Sequence, residues 1–411
     1  MFAGFGFGPI QAGLFAKEAV DSGRFSEVVV SEIDPSLVAA VRRNGDRYAV
    51  NVAWPDRVEA VTVDGVRLLN PSDSGDLPAL REVLGRATEM VTSLPSVAFF
   101  SRGGDTAVSH LIAEGLGGSG AQQTVVYTAE NNNHAAELLE KEVDEAARRP
   151  MRPAQMLNTV IGKMSQVIAD PTEIEGRGLA PIAPGYPRAF LVESFNRILV
   201  SRVELPGFEP GIAAFEEKAA LLPFEEAKLY GHNAAHTMLG FFGWLAGVER
   251  LSEMRAQPGR LAVVRRAFLE EAGAALIACY GGLGDPLFTP EGFRFYVDDL
   301  LERMTNPHLA DTVARAIRDP LRKLGRADRL FGAVRLCLAH GVEPACLAAG
   351  ALAGLLALPE DQTGGALRRG VRLDAAGFKR ALLALWGEGC PEDELSKIAG
   401  LLERAQAMLN D

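Results

Sequence analysis

One lysine, one asparagine and one histidine stand close together in the stretch KLYGHNAAHTMLGFFGWLAG. Asn233 and His236 follow Lys228 by five and eight residues, and an apolar run comes directly after them. A lysine whose amine is partly deprotonated can act as a general base, and amide and imidazole groups can hydrogen-bond an oxygen that gains negative charge. The spacing therefore makes these residues candidates for proton transfer at a hydroxyl or carbonyl group.

The geometry of a regular helix limits how these three residues can cooperate. On a continuous α-helix their side chains fall within an arc of about 140°, on one flank. The same helix separates Lys228 from His236 by about 12 Å along its axis, which is too far for both to contact one small carbonyl group. We therefore predict a break in the helix near Gly231. For each residue alone the alternative is structural: a solvated lysine, a capping asparagine and a core histidine.

A glycine-rich turn at the start of the chain, FGFGPIQAG, is the second candidate for ligand binding. Gly6 and Gly8 have the spacing of G-x-G-x-x-G, the turn that holds a dinucleotide pyrophosphate at a helix N-terminus. Gln11 occupies the position of the third glycine, and Gly13 follows two residues later. We predict that these four residues form a cofactor-binding turn; a plain structural turn is the alternative.

An acidic residue follows at the distance that such a turn requires. The segment EVVVSEID is typical of a short buried parallel strand, and Glu32 near its end lies nineteen residues after Gly13. In dinucleotide-binding βαβ units, an acid about 20 residues further on binds the ribose hydroxyls. Glu32 is therefore predicted to bind the ribose of NAD, and a solvated strand end is the alternative.

The order of the elements predicts two domains. Short strands alternate with helical stretches from Met1 to about Ile168, with further strands in RVEAVTV, EMVTSLP and QTVVYTAEN, which is typical of a doubly wound α/β sheet. The Pro- and Gly-rich stretch from Asp170 to Pro187 is predicted to cross between domains. A strand pair is expected in RAFLVES and RILVSRVE, and helical patterns dominate beyond Glu216. We expect a Rossmann-type NAD-binding domain over residues 1–190 and a mainly helical substrate-binding and catalytic domain over residues 191–411.

Composition limits the partners and the compartment. The formal net charge of −11 disfavours nucleic acid and anionic membranes as partners. The four cysteines are scattered without a C-x-x-C pair, so neither a zinc site nor a disulfide framework is indicated. The longest apolar run, from Ala345 to Leu358, is too short to span a bilayer, and the basic segment of a signal peptide is missing at the start. We expect a cytoplasmic protein that binds a small molecule; its oligomeric state stays open.

The motif of Lys228, Asn233 and His236 with its apolar helix resembles the signature of the polyol-specific long-chain dehydrogenases. A second block from Glu302 to Leu330, ERMTNPHLADTVARAIRDPLRKLGRADRL, resembles the family segment with Asn-Pro, Arg-x-Pro-Leu-Arg-Lys-Leu and Asp-Arg-Leu. The stretch TAEN is similar to the family's Glu-Asn after a late Rossmann strand. The resemblance touches both predicted domains and is strongest for the branch that acts on mannitol 1-phosphate.

The resemblance implies a cofactor and a reaction. It implies NAD-dependent hydride transfer at a secondary alcohol carbon, with a lysine and no metal ion taking the hydroxyl proton. The family pattern assigns Lys228 as the base, Asn233 and Asn158 as donors to the alkoxide, His236 as an orienting group and Glu193 as a carboxylate near the lysine. For Glu193 a strand-end acid is the alternative. An ordinary lysine pKa of about 10.4 is too high for this role, and burial can lower it to about 7 to 8.

Cofactor contacts and departures from the family pattern also follow from the resemblance. The TAEN stretch places Glu130 and Asn131 among the cofactor-binding residues. Where the family has an acid and an arginine after the asparagine that matches Asn158, this chain has Gly162 and Lys163. These departures, like the replacement of a glycine in the nucleotide turn, bear on the substrate more than on the reaction class.

A phosphorylated polyol requires cationic side chains, and the second block supplies them. Arg303, Asn306 and Arg322 are predicted to bind the substrate, with Arg318 and Lys323 as further candidates. The implied reaction is the interconversion of mannitol 1-phosphate and fructose 6-phosphate. Two alternatives stay open: an enzyme for an unphosphorylated substrate, as mannitol 2-dehydrogenases and hexuronate reductases are, and an inactive nucleotide-binding sensor.

Overall fold

The computed structural model describes residues 1–118, 122–363, 365, 367, 370–387 and 389–409. Its contacts divide the chain into two compact units, Met1–Leu222 and Pro223–Asp411. The sequence places the boundary after residue 190, and the structure places it after residue 222. The difference arises because strands beyond residue 190 complete the sheets of the first unit.

The described part of the first unit contains twelve strands: β1 Phe2–Phe5, β2 Val28–Ser31, β3 Arg47–Ala53, β4 Val58–Asp64, β5 Val66–Leu69, β6 Glu89–Thr92, β7 Thr124–Thr128, β8 Ala154–Ile161, β9 Ser165–Ile168, β10 Ala189–Glu193, β11 Ile198–Ser201 and β12 Phe215–Lys218. Eight of them form one sheet in the order β12-β11-β8-β7-β6-β1-β2-β5. From β5 to β8 all neighbours are parallel, whereas β8 and β11 are antiparallel.

Side-chain alternation builds a core on each face of the large sheet. In β1, Phe2 packs into one hydrophobic cluster, whereas Ala3 and Phe5 pack into another. In β2, Val30 and Val29 divide in the same way. Parallel strands buried on both faces are the rule for doubly wound sheets, because the connecting helices cover both sides. The predicted Rossmann-type fold is confirmed.

The other four strands form a smaller sheet in the order β4-β3-β10-β9. β10 pairs with β3 and β9, whereas β11 pairs with β8 and β12 in the large sheet. The predicted pairing of RAFLVES with RILVSRVE is therefore wrong, because the two strands lie in different sheets. The stretch 170–187 likewise crosses no domain boundary; it holds one short helix and connects β9 to β10 inside the first unit.

Helices of the first unit follow the strands: α1 Ala16–Asp21, α2 Pro35–Arg43, α3 Leu77–Arg86, α4 Val108–Leu116, α5 Ala135–Ala146 and α6 Pro171–Gly176. A π-helical turn, Gln11–Phe15, leads directly into α1. The side chain of Asp34 caps α2 by accepting from the backbone N–H groups of Ser36 and Leu37, and Pro35 supplies the favoured first helical residue.

The second unit contains helices and loops but no strand in its described part, and its first helix begins at the last residue of the first unit. The helices are α7 Leu222–Glu226, α8 Ala234–Ala246, α9 Pro258–Arg266, α10 Gly273–Tyr280, α11 Pro290–Met304, α12 Val313–Ile317, α13 Pro320–Lys323, α14 Arg329–Ala339, α15 Ala345–Leu356, α16 Ala375–Trp386 and α17 Glu392–Leu409. Two π-helical segments, Ala227–Asn233 and Ala267–Ala272, interrupt this series. The apolar run after Pro344 forms α15, which is buried along nearly its whole length. Among the described residues, no helix combines the length and apolarity needed to cross a membrane.

Candidate active site

The glycine turn after β1 leads into the π-helical turn Gln11–Phe15. Gly6 has a φ of 81°, and its N–H donates to the carbonyl oxygen of Ser31 at 2.9 Å. A Cβ on Gly6 would lie 2.7 Å from the carbonyl oxygen of Ser93, so only glycine fits here. No described atom lies within 4 Å of the place where Gly8 would carry a Cβ. The turn is therefore tight at Gly6 and open at Gly8, where a pyrophosphate needs room.

Gln11 replaces the third glycine, and the glycine on the facing strand compensates for it. That third glycine normally lets the first helix approach the strand closely. Here the Gln11 side chain fills the space where Gly4 of β1 would carry a Cβ. The glycine that permits the close approach therefore lies on the strand and not on the helix. Both polar atoms of the Gln11 side chain are buried without a partner among the described residues. Gly13 instead allows close packing on the small sheet, because a Cβ at this position would lie only 2.7 Å from the Val192 side chain.

Glu32 joins the end of β2 to the glycine turn. Its carboxylate accepts from the N–H of Phe7 at 2.7 Å and from the N–H of Asp34 at 2.8 Å. Each carboxylate oxygen has a second acceptor position, so Glu32 can still receive ribose hydroxyls. Arg42 on α2 is held by the carbonyl oxygen of Leu68 at 2.8 Å and by Asp76 at 2.6 Å.

Glu130 lies inside the first unit and Asn131 at its surface. Glu130 accepts from the Thr92 hydroxyl and from the Leu94 N–H, both at 2.8 Å, and burial raises the pKa of its carboxyl. It fixes the loop that follows β6. Direct contact of these two residues with a cofactor stays a prediction.

Asn158 and Glu193 are also tied to the first unit. The Asn158 amide donates to Glu137 at 2.8 Å and accepts from the Ala136 N–H at 2.9 Å, which fixes β8 to the start of α5. The buried Glu193 accepts from the Met164 N–H at 2.5 Å. Their contact with substrate or lysine stays a prediction.

Lys228 and Asn233 lie on the π-helical segment Ala227–Asn233, where a break near Gly231 was predicted. The helix is widened instead of broken. A π turn closes i to i+5 hydrogen bonds, so residues five apart, such as Lys228 and Asn233, come onto the same face. Gly231 is required because the ring of Phe268, on the second π segment, occupies the place of its Cβ. π turns are frequent at functional sites.

The surroundings of Lys228 favour its neutral form. Burial, with the positive charge of Arg329 added, lowers the pKa of Lys228 from 10.5 to about 8, while Glu225 acts in the opposite direction. The Arg329 guanidinium is itself buried and donates to Asp328 at 2.7 Å. Lys228 therefore has the lowered pKa that a lysine general base requires.

Two residues near the motif escaped the sequence reasoning. His232 is buried, and burial and nearby cations, Arg303 first, hold its pKa well below the usual range. Oδ2 of Asp311 lies 2.8 Å from Nε2 of His236 and accepts a hydrogen bond from the Arg315 guanidinium at 2.7 Å. His232 stood in the quoted motif beside Asn233, but a histidine among apolar residues is usually read as core. Asp311 is distant in sequence and offered no local signal.

Two of the predicted substrate-binding residues in the second block, Arg303 and Arg322, form ion pairs with nearby carboxylates. Arg303 pairs with Asp299 at 3.0 Å, and the side-chain oxygen Oδ1 of Asn306 accepts from the His308 N–H at 2.8 Å, a local turn contact. Arg322 is exposed and pairs with Asp319 at 2.6 Å. Their contact with substrate stays a prediction.

Lys323 is, like Arg329, a buried cation of the same block. Its amine donates to the carbonyl oxygen of Ala316 at 2.6 Å, and no carboxylate pairs with it among the described residues. Burial, followed by the charges of Arg329 and three further arginines, lowers the pKa of Lys323 to about 8. An anion bound beside this amine would favour its ammonium form.

Known proteins of similar sequence identify the family of this chain. A family model described as the mannitol dehydrogenase C-terminal domain matches residues 220–367. A mannitol-1-phosphate 5-dehydrogenase of Pseudarthrobacter chlorophenolicus is 32% identical over 329 residues, which cover 78% of this chain and 76% of the relative. The chain belongs to the mannitol dehydrogenase family. A second mannitol-1-phosphate 5-dehydrogenase, of Paenarthrobacter aurescens, is 30% identical and covers 84% of this chain and 83% of its own.

Solved members with the mannitol dehydrogenase fold agree with the architecture. A substrate-free D-sorbitol dehydrogenase matches with a TM-score of 0.70 at 14% identity, covering 98% of this chain and 92% of its own. A mannitol 2-dehydrogenase of Pseudomonas fluorescens, solved with NAD and D-mannitol, matches with a TM-score of 0.67 at 15% identity, covering 100% and 92%. At these identities the likeness concerns the fold.

Membership of the mannitol dehydrogenase family makes the chain an NAD-dependent oxidoreductase of polyols, which confirms the predicted enzyme class and cofactor. The residues fit this cofactor, because Gly8 leaves space for a pyrophosphate and Glu32 has acceptor positions for a ribose. Across the described residues, no group of three or more His, Cys, Asp or Glu side chains could hold a metal ion.

Proposed function

We propose that this enzyme interconverts mannitol 1-phosphate and fructose 6-phosphate, with Lys228 as the general base. The observation that carries the proposal is a pair of lysines in the second unit. Lys228 and Lys323 are both held at a pKa of about 8, and the strongest positive neighbour of each is Arg329. One lysine supplies a proton acceptor, and the other supplies positive charge for a phosphate. The two sequence relatives named above are both mannitol-1-phosphate 5-dehydrogenases, which supports the same substrate.

A pKa of about 8 changes what Lys228 can do at neutral pH. At pH 7 roughly a tenth of such amines are neutral, compared with about one in three thousand at a pKa of 10.5. The amine takes the hydroxyl proton during oxidation, and its ammonium form returns the proton during reduction. The glycine turn and Glu32 would hold NAD, which would supply the hydride acceptor for oxidation and, as NADH, the hydride donor for reduction.

Asn233 acts on the oxygen that loses its proton, and His236 holds the substrate in place. Asn233 shares the face of Lys228 through the π turn, so its amide N–H can donate to the same oxygen as negative charge develops. His236, one turn further along α8, orients the substrate. Asn158 is proposed as a second amide donor, since only one of its two N–H bonds is used by Glu137.

The phosphate is proposed to bind near Lys323. After burial, the charges of four arginines lower the pKa of this amine most: Arg329, Arg322, Arg318 and Arg315. A bound dianion would stabilise the ammonium form by charge-assisted hydrogen bonds, which an uncharged sugar cannot do. An unphosphorylated substrate would leave the buried positive charge of Lys323 without a counter-charge.

Replacement of Lys228 by methionine tests the base. Methionine keeps much of the side-chain volume but cannot accept a proton, so kcat for fructose 6-phosphate reduction should fall by about 10² to 10⁴. NADH binding should persist. Lys397→Met is the matched control, because Lys397 is an exposed partner of Asp393 and should leave turnover unchanged.

Two outcomes would count against the proposal. A Lys228→Met enzyme with near wild-type kcat across the pH range would exclude the lysine base. Wild-type protein that binds NADH but oxidises it with none of a panel of keto sugars and keto sugar phosphates would be a nucleotide-binding sensor.

A further inference from the structure

Asp311 is a buried carboxylate that the catalytic scheme above leaves unused. It lies just before α12, and only 2% of the residue is exposed. Oδ2 accepts from the Arg315 guanidinium at 2.7 Å and lies 2.8 Å from Nε2 of His236. Burial alone would raise the pKa of Asp311, but the hydrogen bonds and charges of His236 and Arg315 hold it well below the usual range. Asp311 is therefore ionised at working pH.

The backbone around Asp311 is fixed at some conformational cost. Ala310 has a φ of 54°, a left-handed conformation that is unfavourable for a residue with a Cβ. The carbonyl oxygen of Asp311 accepts from the Leu251 N–H at 2.9 Å, and the Val313 N–H donates to Glu249 at 2.9 Å. Such conformations persist only where the surroundings over-determine them. The contacts hold the Asp311 carboxylate in one place relative to α8.

The ionised carboxylate dictates the protonation of the imidazole. A carboxylate only accepts hydrogen bonds, so the ring nitrogen that faces it, Nε2, must carry the hydrogen. In a neutral imidazole the other nitrogen, Nδ1, is then an acceptor. His236 keeps 16% of its side chain exposed, and no hydrogen bond occupies Nδ1 among the described residues.

We propose that Asp311 is a positioning residue, which fixes the His236 ring in the Nε2–H form so that Nδ1 accepts a hydrogen bond from a substrate hydroxyl. This inference rests on the proposed function in one respect: it takes His236 to contact the substrate. Asp311 itself acts only through the ring. Asp311 and His236 together would then favour substrates with a hydroxyl group next to the reacting carbon, because that hydroxyl can donate to Nδ1.

The tautomer can be measured on the wild-type protein without any activity assay. Nitrogen-15 NMR of the histidine rings, with His236→Asn to assign the signal, distinguishes protonated from bare ring nitrogens. When the pH is raised until the ring is neutral, the signal should report a protonated Nε2 and a bare Nδ1. A hydrogen on Nδ1 would overturn the inference, even if the enzyme proves fully active.

Substitutions test whether the positioning matters for substrate binding. Asp311→Leu keeps a similar volume but removes the acceptor, whereas Asp311→Asn keeps an oxygen that can accept from both Nε2–H and Arg315. We expect Asp311→Leu to lower kcat/KM by about 10²-fold, mainly through KM for the keto substrate, because misplacing one contact group by about 1 Å has such effects. Asp311→Asn should recover at least half of that loss on a logarithmic scale. Asp298→Leu, which removes the exposed partner of Arg265, is the control.

A double-mutant cycle separates positioning from a general effect on the fold. In the His236→Asn background, Asp311→Leu should change kcat/KM by less than about twofold, because the group through which it acts is gone. NADH affinity should stay at the wild-type value in every variant. Additive losses in the cycle would show that Asp311 acts by another route and would refute the proposal. Absence of turnover in the wild type would instead refute the proposed function, and the tautomer measurement would still decide this inference.

Discussion

Replacement of Arg329 by glutamine should move the pH profile of polyol oxidation to higher pH. Arg329 is the strongest positive charge acting on Lys228, and its removal leaves burial as the force that lowers the pKa of the amine. The full lowering, from 10.5 to about 8, corresponds to about 3.4 kcal/mol at 1.36 kcal/mol per pKa unit. The variant should recover part of this difference, so its apparent pKa should lie above 8 and below 10.5.

The sign of the effect follows from the role of the base. Oxidation needs the neutral amine, so kcat/KM for the polyol should rise with pH through the pKa of Lys228. Below that pKa, each unit by which the variant's pKa exceeds the wild-type value should lower the rate about tenfold. For reduction, which needs the ammonium form, the rate should fall as pH rises, and the variant should retain activity to higher pH.

The assay is kcat/KM with mannitol 1-phosphate and saturating NAD, followed as NADH absorbance over a pH series for wild type and variant. Arg326→Gln is the matched control. Arg326 belongs to the same block but pairs with Glu394 at 2.8 Å and is not among the charges that act on Lys228. A profile of Arg329→Gln that coincides with the wild type, or moves to lower pH, would refute the electrostatic reasoning.

Three further predictions concern the cofactor, the metal and stability. Glu32 should repel the 2′-phosphate of NADP, so kcat/KM with NAD should exceed that with NADP, and Glu32→Ser should narrow the difference; a wild-type preference for NADP would contradict this assignment. Activity should survive EDTA, and a loss that zinc restores would be contrary to a lysine mechanism. Glu271 accepts from the N–H groups of Cys346 and Leu347 at the start of α15, so Glu271→Gln should cost about 1–3 kcal/mol of unfolding free energy, or roughly 2–4 °C of Tm per kcal/mol. The exposed neighbour variant Glu270→Gln should leave Tm nearly unchanged, and equal Tm values would disprove the capping role.

The class of fold could be predicted from periodicity, but the sheet partners of the later strands could not. Alternation of short apolar runs with helices identified the doubly wound sheet, because buried parallel strands leave that pattern in any sequence. RAFLVES and RILVSRVE both look like strands. Which strands they pair with depends on contacts with β3 and β8, far away in the sequence, so neighbouring strands were wrongly paired. The boundary lies after residue 222 and not after residue 190 for the same reason, because the later strands pair with distant strands of the first unit.

The site shows the same division between local and distant information. The spacing of Lys228 and Asn233 indicated a shared face, but a π turn has no simple sequence signature, and a break was predicted instead. Gln11 looked like a defect in the glycine turn, because its compensation lies in Gly4 on the facing strand. Asp311 could not be connected with His236, since their contact depends on how α8 and the segment before α12 pack.

The central claim is that the substrate carries a phosphate. The most direct measurement is the ratio of kcat/KM for NADH-dependent reduction of fructose 6-phosphate to that of fructose, in wild type and in Lys323→Met. We expect a ratio well above 1 in the wild type, since the binding energy of a phosphate remote from the reacting carbon can stabilise the transition state. In Lys323→Met the ratio should fall towards 1 while fructose reduction is unchanged. A wild-type enzyme that prefers fructose or a hexuronate, or a ratio that Lys323→Met leaves intact, would contradict it.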